Sequence, residues 1–224
     1  YQQVETETTG AIFGIALVFI MFYGGFGTRM ESARAVLLPA GLLATVGVAV
    51  TAMLVGVFCH AVLGWRWSEA LLMGSVISST DAASVFSILR SRRLGLKNNT
   101  APMLEVESGS NDPMSYMLTI VMLSVIQGTA SGGQVVRLIL SQLLIGGTCG
   151  FLIAWLLSRL TFIRIRIGNT GFDSVFIFAV AMFSYAIPSV LGGNGYLSTY
   201  IVGILLGNSH VFTNKKSLVN FFDG

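Results

Sequence analysis

The sequence predicts an all-α polytopic membrane protein with about seven transmembrane segments, one or more of them discontinuous. Three observations lead there. Of 224 residues, 54% are hydrophobic and only 10% charged, whereas a soluble domain carries about 25% charged residues. The apolar residues gather in runs long enough, or nearly so, to cross a bilayer. Basic residues crowd every second loop between those runs. Mean hydropathy is +0.78. With 13 basic and 10 acidic side chains, the chain lacks the polar surface that a soluble fold of this size needs. Four prolines and two cysteines exclude a collagen-like chain and a disulfide scaffold. Runs such as "AIFGIALVFIMF" and "FLIAWLL" do not alternate, which argues against a β-barrel.

A spanning helix needs about 20 mostly apolar residues. The first run covers roughly 10–28 and holds Gly10 and Gly14 at helical spacing. The second, roughly 35–63, has length to spare and predicts a tilt or a break. His60 at its outer end reads as interfacial, next to Trp65 and Trp67, which fit an aromatic belt. The third and fourth runs, roughly 68–89 and 100–127, carry polar residues at their centres. The fifth, sixth and seventh cover roughly 134–158, 172–190 and 194–209. The pairs Gly10/Gly14, Gly146/Gly150 and Gly203/Gly207 all predict close helix packing. Cys59 and Cys149 lie inside apolar runs and read as packing residues.

Loop charges orient the chain. Arg29, Arg34, Arg90, Arg92, Arg93, Lys97, Arg159, Arg164, Arg166, Lys215 and Lys216 follow the odd-numbered runs, and only Arg66 and Arg137 fall in the alternate loops. By the positive-inside rule the N-terminal end lies outside and the tail from His210 is cytoplasmic. The net charge of +3 is not drawn into one stripe, so no nucleic-acid partner is expected; the partner is the lipid bilayer.

Polar residues inside the membrane are the candidate functional groups. The third run reads "SEALLMGSVISSTDAASVFSILR", with Ser78–Asp81 at its middle. Serine and threonine hydroxyls there can serve a helix that unwinds, as in secondary transporters. Asp81 either contributes to an ion site or caps a half-helix. The fourth run contains Glu105, Glu107, Asn111 and Asp112, followed by Pro113, which removes a donor and can kink a helix. Glu105 is nearest the interface and can simply face water or a basic loop residue; for Glu107, five residues before Asp112, a structural and a functional role stay open. The two runs pack as neighbours, so their midpoint carboxylates share a depth. Desolvation disfavours a charged carboxylate, and either a proton or a cation relieves that cost. A cation site is therefore expected, and exchange is one use of it. No HExxH, CxxC, Walker, TVGYG or GxSxG motif is present, and no enzyme is expected.

"SSTDAASVFSILR" (Ser78–Arg90), "LEVESGSNDPMSYML" (Leu104–Leu118) and "GGNGYLSTYIVGILLGN" (Gly192–Asn208) resemble the monovalent cation:proton antiporter superfamily, most of all its NhaP-type potassium/proton antiporters, the cell volume regulation protein A group. The resemblance covers essentially the whole chain. It implies a partial antiporter fold of inverted-repeat type, in which Thr80 and Asp81 lie on a discontinuous helix and Asn111 and Asp112 on the next. Asp112 inherits the alternately protonated and cation-loaded position, binding a monovalent cation. Asn111, in place of a second aspartate, implies electroneutral exchange. Glu107 matches an acidic position on the approach to the site, and Ser79 and Ser110 are supporting candidates. No catalytic residue and no cofactor are implied; the cargo is K+ or Na+ and H+. The family implies an inner-membrane homodimer with an elevator-like motion. Residues 35–127 would be core-bundle helices, and 134–209 the linker and dimerisation side.

The chain opens at Tyr1 without an initiator methionine and stops just into another apolar stretch, "SLVNFFDG". It is therefore expected to be a fragment, 1–224, of one transmembrane cation/proton exchanger domain, lacking the inverted partner that transport requires. The competing readings are a cation channel or pore subunit, and a non-transporting membrane scaffold.

Overall fold

The computed structural model describes residues 2–81, 88, 96–159 and 173–209. Among these the regular elements are all helical. They are α1 (Gln2–Gly27), α2 (Met30–Ala33), α3 (Leu37–Leu42), α4 (Val48–Leu63), α5 (Trp67–Ile77), α6 (Thr100–Ile126), α7 (Gly132–Arg159), α8 (Asp173–Val190) and α9 (Gly195–Gly207). Thr6–Gly27, Leu37–Leu63 and Gly132–Arg159 are each long and apolar enough to cross a membrane. Arg90, Arg92, Arg93, Arg164, Arg166, Lys215, Lys216 and His210 lie outside the described residues.

The helices form two compact units, Met30–Gln142 and Tyr1–Arg29 with Leu143–Gly224. In the latter, α9 packs along α1. A Cβ on Gly203 would overlap the Phe22 carbonyl, and one on Gly207 the Phe26 carbonyl. The missing side chains let the two backbones touch. Phe22 and Phe26 are buried beside that contact, and Asn208 Nδ2 donates to the Thr28 carbonyl at 2.8 Å. Gly146 and Gly150 lie likewise against the backbone of Asn194 and Ser198. The first glycine pair behaves differently: nothing approaches Gly10 within 4 Å, and Gly14 meets only the Tyr196 hydroxyl. Helical spacing permits a close crossing but does not supply the facing helix.

The Met30–Gln142 unit holds the polar residues of interest. Helices α3 and α4 are joined without a break by a single π-helical stretch, Leu43–Gly47. The hydroxyl of Thr45 donates to the Gly41 carbonyl at 2.7 Å, competing with the backbone amide for that acceptor, as a threonine at this spacing does. The spare length of the second run therefore contains a π turn, which packs on α6. Helix α4 ends at Gly64, whose φ of +69° lies in the left-handed region. The His60 ring stacks on Trp67, with centroids 4.1 Å apart, and its Nδ1 lies 2.7 Å from the Trp65 carbonyl.

Helix α5 then returns along α4. At Gly74 the two backbones are so close that a Cβ would overlap the Ala52 carbonyl. Helix α5 stops at Ile77, and Ser78–Asp81 leave the helical path. The third run is thus not one helix through 68–89 in its described part. Helix α6 starts after Asn98 and Asn99, both at positive φ, a conformation asparagine tolerates. It continues through Pro113 without interruption. Ala33, Ala40 and Val106 form a small buried cluster that holds α2 and α3 to α6.

Candidate functional site

The site grows from the unfinished end of α5. A helix end leaves its last carbonyls without i+4 amide donors. Here hydroxyls take over. Ser78 Oγ donates to the Ser75 carbonyl at 2.8 Å, and Ser115 Oγ, from α6, donates to the same carbonyl at 2.6 Å. Ser75 Oγ is itself used on the Leu71 carbonyl at 2.8 Å.

The non-helical residues then run against α6. Ser79 Oγ donates to Asp112 Oδ1 and lies 3.2 Å from Asn111 Oδ1. Asn111 is fully buried and acts as the hub. Its Nδ2 donates to Thr80 Oγ1 at 2.7 Å, to the Thr80 carbonyl at 3.2 Å and to Glu107 Oε1 at 3.0 Å. Thr80 Oγ1 donates in turn to Glu107 Oε1 at 3.2 Å. Ser108 Oγ donates to the Thr80 carbonyl at 3.0 Å. The break is thereby held by side chains of one helix face, since Ser108, Asn111, Asp112 and Ser115 recur at helical spacing along α6.

Asp112 is half-buried, and both Asp81 and Glu107 are near enough for their charges to act on it. Among the described residues no three acidic, histidine or cysteine side chains are placed to hold one metal ion together. Carboxylate, hydroxyl and carbonyl oxygens are the donor types a hard cation takes.

Thr80, Asn111, Asp112, Ser79 and Glu107 come together in one hydrogen-bonded cluster. Asp81 is exposed at the end of the described segment. Ser110, half-buried on α6, takes no part in the cluster's hydrogen bonds. Ser75, Ser108 and Ser115 were not legible as members. The available signal was positional: Ser108 and Ser115 stand four residues before and three after Asp112.

A polytopic helical membrane protein, with a helix that ends mid-run at a cluster of carboxylates and hydroxyls, is the class that this fold and site define. The chain belongs to the sodium/hydrogen exchanger family, whose transmembrane model matches residues 3–224. The K(+)/H(+) antiporter NhaP of Alkalimonas amylolytica is 40% identical over 202 residues, covering 88% of this chain and 34% of that protein. The K(+)/H(+) antiporter NhaP2 of Shewanella sp. strain ANA-3 is 36% identical over 223 residues, covering 98% of this chain and 38% of that protein. The chain thus spans about a third of the length of these curated relatives. The sodium proton antiporter MjNhaP1 from Methanocaldococcus jannaschii, at pH 8, superposes with a TM-score of 0.79 at 22% identity, covering 94% of this chain and 52% of that one. This likeness shows the shared fold.

Proposed function

We propose that the full-length protein carrying this chain exchanges K+ or Na+ for H+ across the bacterial inner membrane, with ion and proton competing for Asp112. The observation that carries this is the placement of Asp112. It lies midway along α6, against a helix that has ended, within reach of the Ser79 hydroxyl and the charges of Asp81 and Glu107. Such a carboxylate is costly to leave charged without a counter-ion. A proton and a monovalent cation each remove the cost, and they cannot both do so at once.

The neighbours divide the remaining work. Asn111 holds Thr80 and Glu107 in place. The Thr80 hydroxyl and the Ser79 hydroxyl are oxygen donors beside the carboxylate, and Asp81 adds negative charge that favours cation entry. Glu107 lines the approach. Ser110 is a more distant supporting position. Residues 35–127 act as the core bundle that carries the ion, and 134–209 as linker and dimerisation side of a homodimer. The N-terminal end of the chain lies outside and its C-terminal end in the cytoplasm, in keeping with the basic residues of alternate loops. The relatives named as K(+)/H(+) antiporters favour potassium as cargo.

Everted vesicles holding the full-length protein test the proposal. A proton gradient, acid inside, is built and followed with a pH-sensitive dye while K+ or Na+ is added. Cation-dependent collapse is expected, and Asp112→Asn should abolish it with the protein still in the membrane. Equal collapse in both proteins would remove Asp112 from the exchange.

A further inference from the structure

We propose that Ser115 is a positioning residue of the Asp112 site: its hydroxyl ties the carbonyl end of α5 to α6 and so fixes where Ser79 and Thr80 meet the carboxylate. The inference rests on exchange at Asp112 as proposed above.

Beyond Ile77 the backbone leaves the helix, and the Ser75 carbonyl accepts from two hydroxyls. The two are not equivalent. Ser78 belongs to the same segment, three residues on, so its bond travels with α5. Ser115 belongs to α6, so its 2.6 Å bond joins the two helices. All three serines are buried, at 2–5% exposure, where a lost partner is not replaced by water.

The geometry around Asp112 gives this bond its consequence. Ser108 and Asn111 hold the Thr80 carbonyl, one turn and less before Asp112 along α6. Ser115 holds the Ser75 carbonyl, nearly one turn after it. Helix α6 therefore grips the break on both sides of its own carboxylate. On its far side the end of α5 is seated against α4 through Gly74 and Ala52. Without the Ser115 hydroxyl, the upstream side of the break is tied to α6 only through packing, and the Ser79–Asp112 contact loses its fixed register. Ser115 touches neither cation nor proton and acts through Ser75 and Ser79.

The test measures proton flux against K+ concentration in vesicles with the full-length protein, for the wild type, Ser115→Ala, Ser115→Thr, Ser78→Ala and Asp112→Asn. Ser115→Ala should raise the half-saturating K+ concentration about three- to tenfold, the effect of one buried hydrogen bond on an equilibrium. The maximal rate per amount of protein should change little. Ser115→Thr, which keeps the hydroxyl, should restore half-saturation, and Ser78→Ala should shift it less than Ser115→Ala. Wild-type half-saturation in Ser115→Ala would overturn the proposal. So would a loss of rate that only follows protein amount and melting temperature. Should Ser115→Thr fail to accumulate, the Ser115→Ala value still decides. Persistent exchange in Asp112→Asn would instead overturn the Asp112 mechanism, a distinguishable failure.

Discussion

Asn111 shows how one uncharged side chain can organise a charged site. Its amide nitrogen reaches Thr80 at two atoms and Glu107 at one, from a position with no exposed surface. An aspartate there would place a second anion beside Asp112 and offer no donor to Glu107. Asn111→Ala removes the donor and leaves acceptors in a buried place, at a cost of about 1–3 kcal/mol. The full-length variant in detergent is expected to melt at a lower temperature than the wild type and to lose cation-dependent proton flux. An unchanged melting temperature would show that water or another side chain replaces the amide. The identity of this residue group was legible because an ionisable or amide side chain inside an apolar run has few neutral explanations. Ser108 and Ser115 were not legible, because serine occurs in membrane helices as packing filler and spends its hydroxyl on its own backbone. Only the proximity of a broken neighbour distinguishes Ser115 from Thr119, whose hydroxyl bonds the Ser115 carbonyl four residues back.

At the scale of elements, the break in α5 is placed by three things: the polar run Ser78–Asp81, the hydroxyls that accept the role of amides, and the tight seat of α5 on α4. Gly74 is central to the last. A methyl group there meets the Ala52 carbonyl, and backbone cannot swing aside as a flexible side chain does. Gly74→Ala is expected to destabilise the full-length protein by about 1–3 kcal/mol, the usual range for overpacking. The control is Gly147→Ala, where nothing stands within 4 Å; it should be neutral or stabilising by up to about 1 kcal/mol, since alanine loses less entropy in a helix. Thermal melts of both variants check the pair, and equal losses would argue against a specific seat at Gly74. Element positions were largely legible from apolar runs, because each run needs a bilayer's length of residues. The break after Ile77 was legible too, as a discontinuity expected at the polar run Ser78–Asp81; the hydroxyls that meet its carbonyls were not, since hydropathy does not register a carbonyl's partner. The π turn at Leu43–Gly47 was visible only as excess length in the second run. The same spacing predicted close packing at Gly10/Gly14 and at Gly203/Gly207, and only the second pair meets a backbone, because spacing on one helix says nothing of its neighbour.

At the scale of the whole molecule, the apolar composition and the alternating basic loops made a polytopic membrane chain legible without any motif. The family followed from the polar cores, because the two short stretches around Thr80–Asp81 and Asn111–Asp112 have a specific chemistry that lipid-facing residues lack. The proposed exchange turns on one carboxylate, Asp112, holding either a proton or a cation. Proton release on cation addition tests this most directly, using the purified full-length protein in a weakly buffered dye solution. At a pH where Asp112 carries its proton before cation is added, K+ or Na+ should release about one proton per cation bound, and Asp112→Asn should release none. Cation binding without proton release, or undiminished release from Asp112→Asn, would contradict competition at this residue.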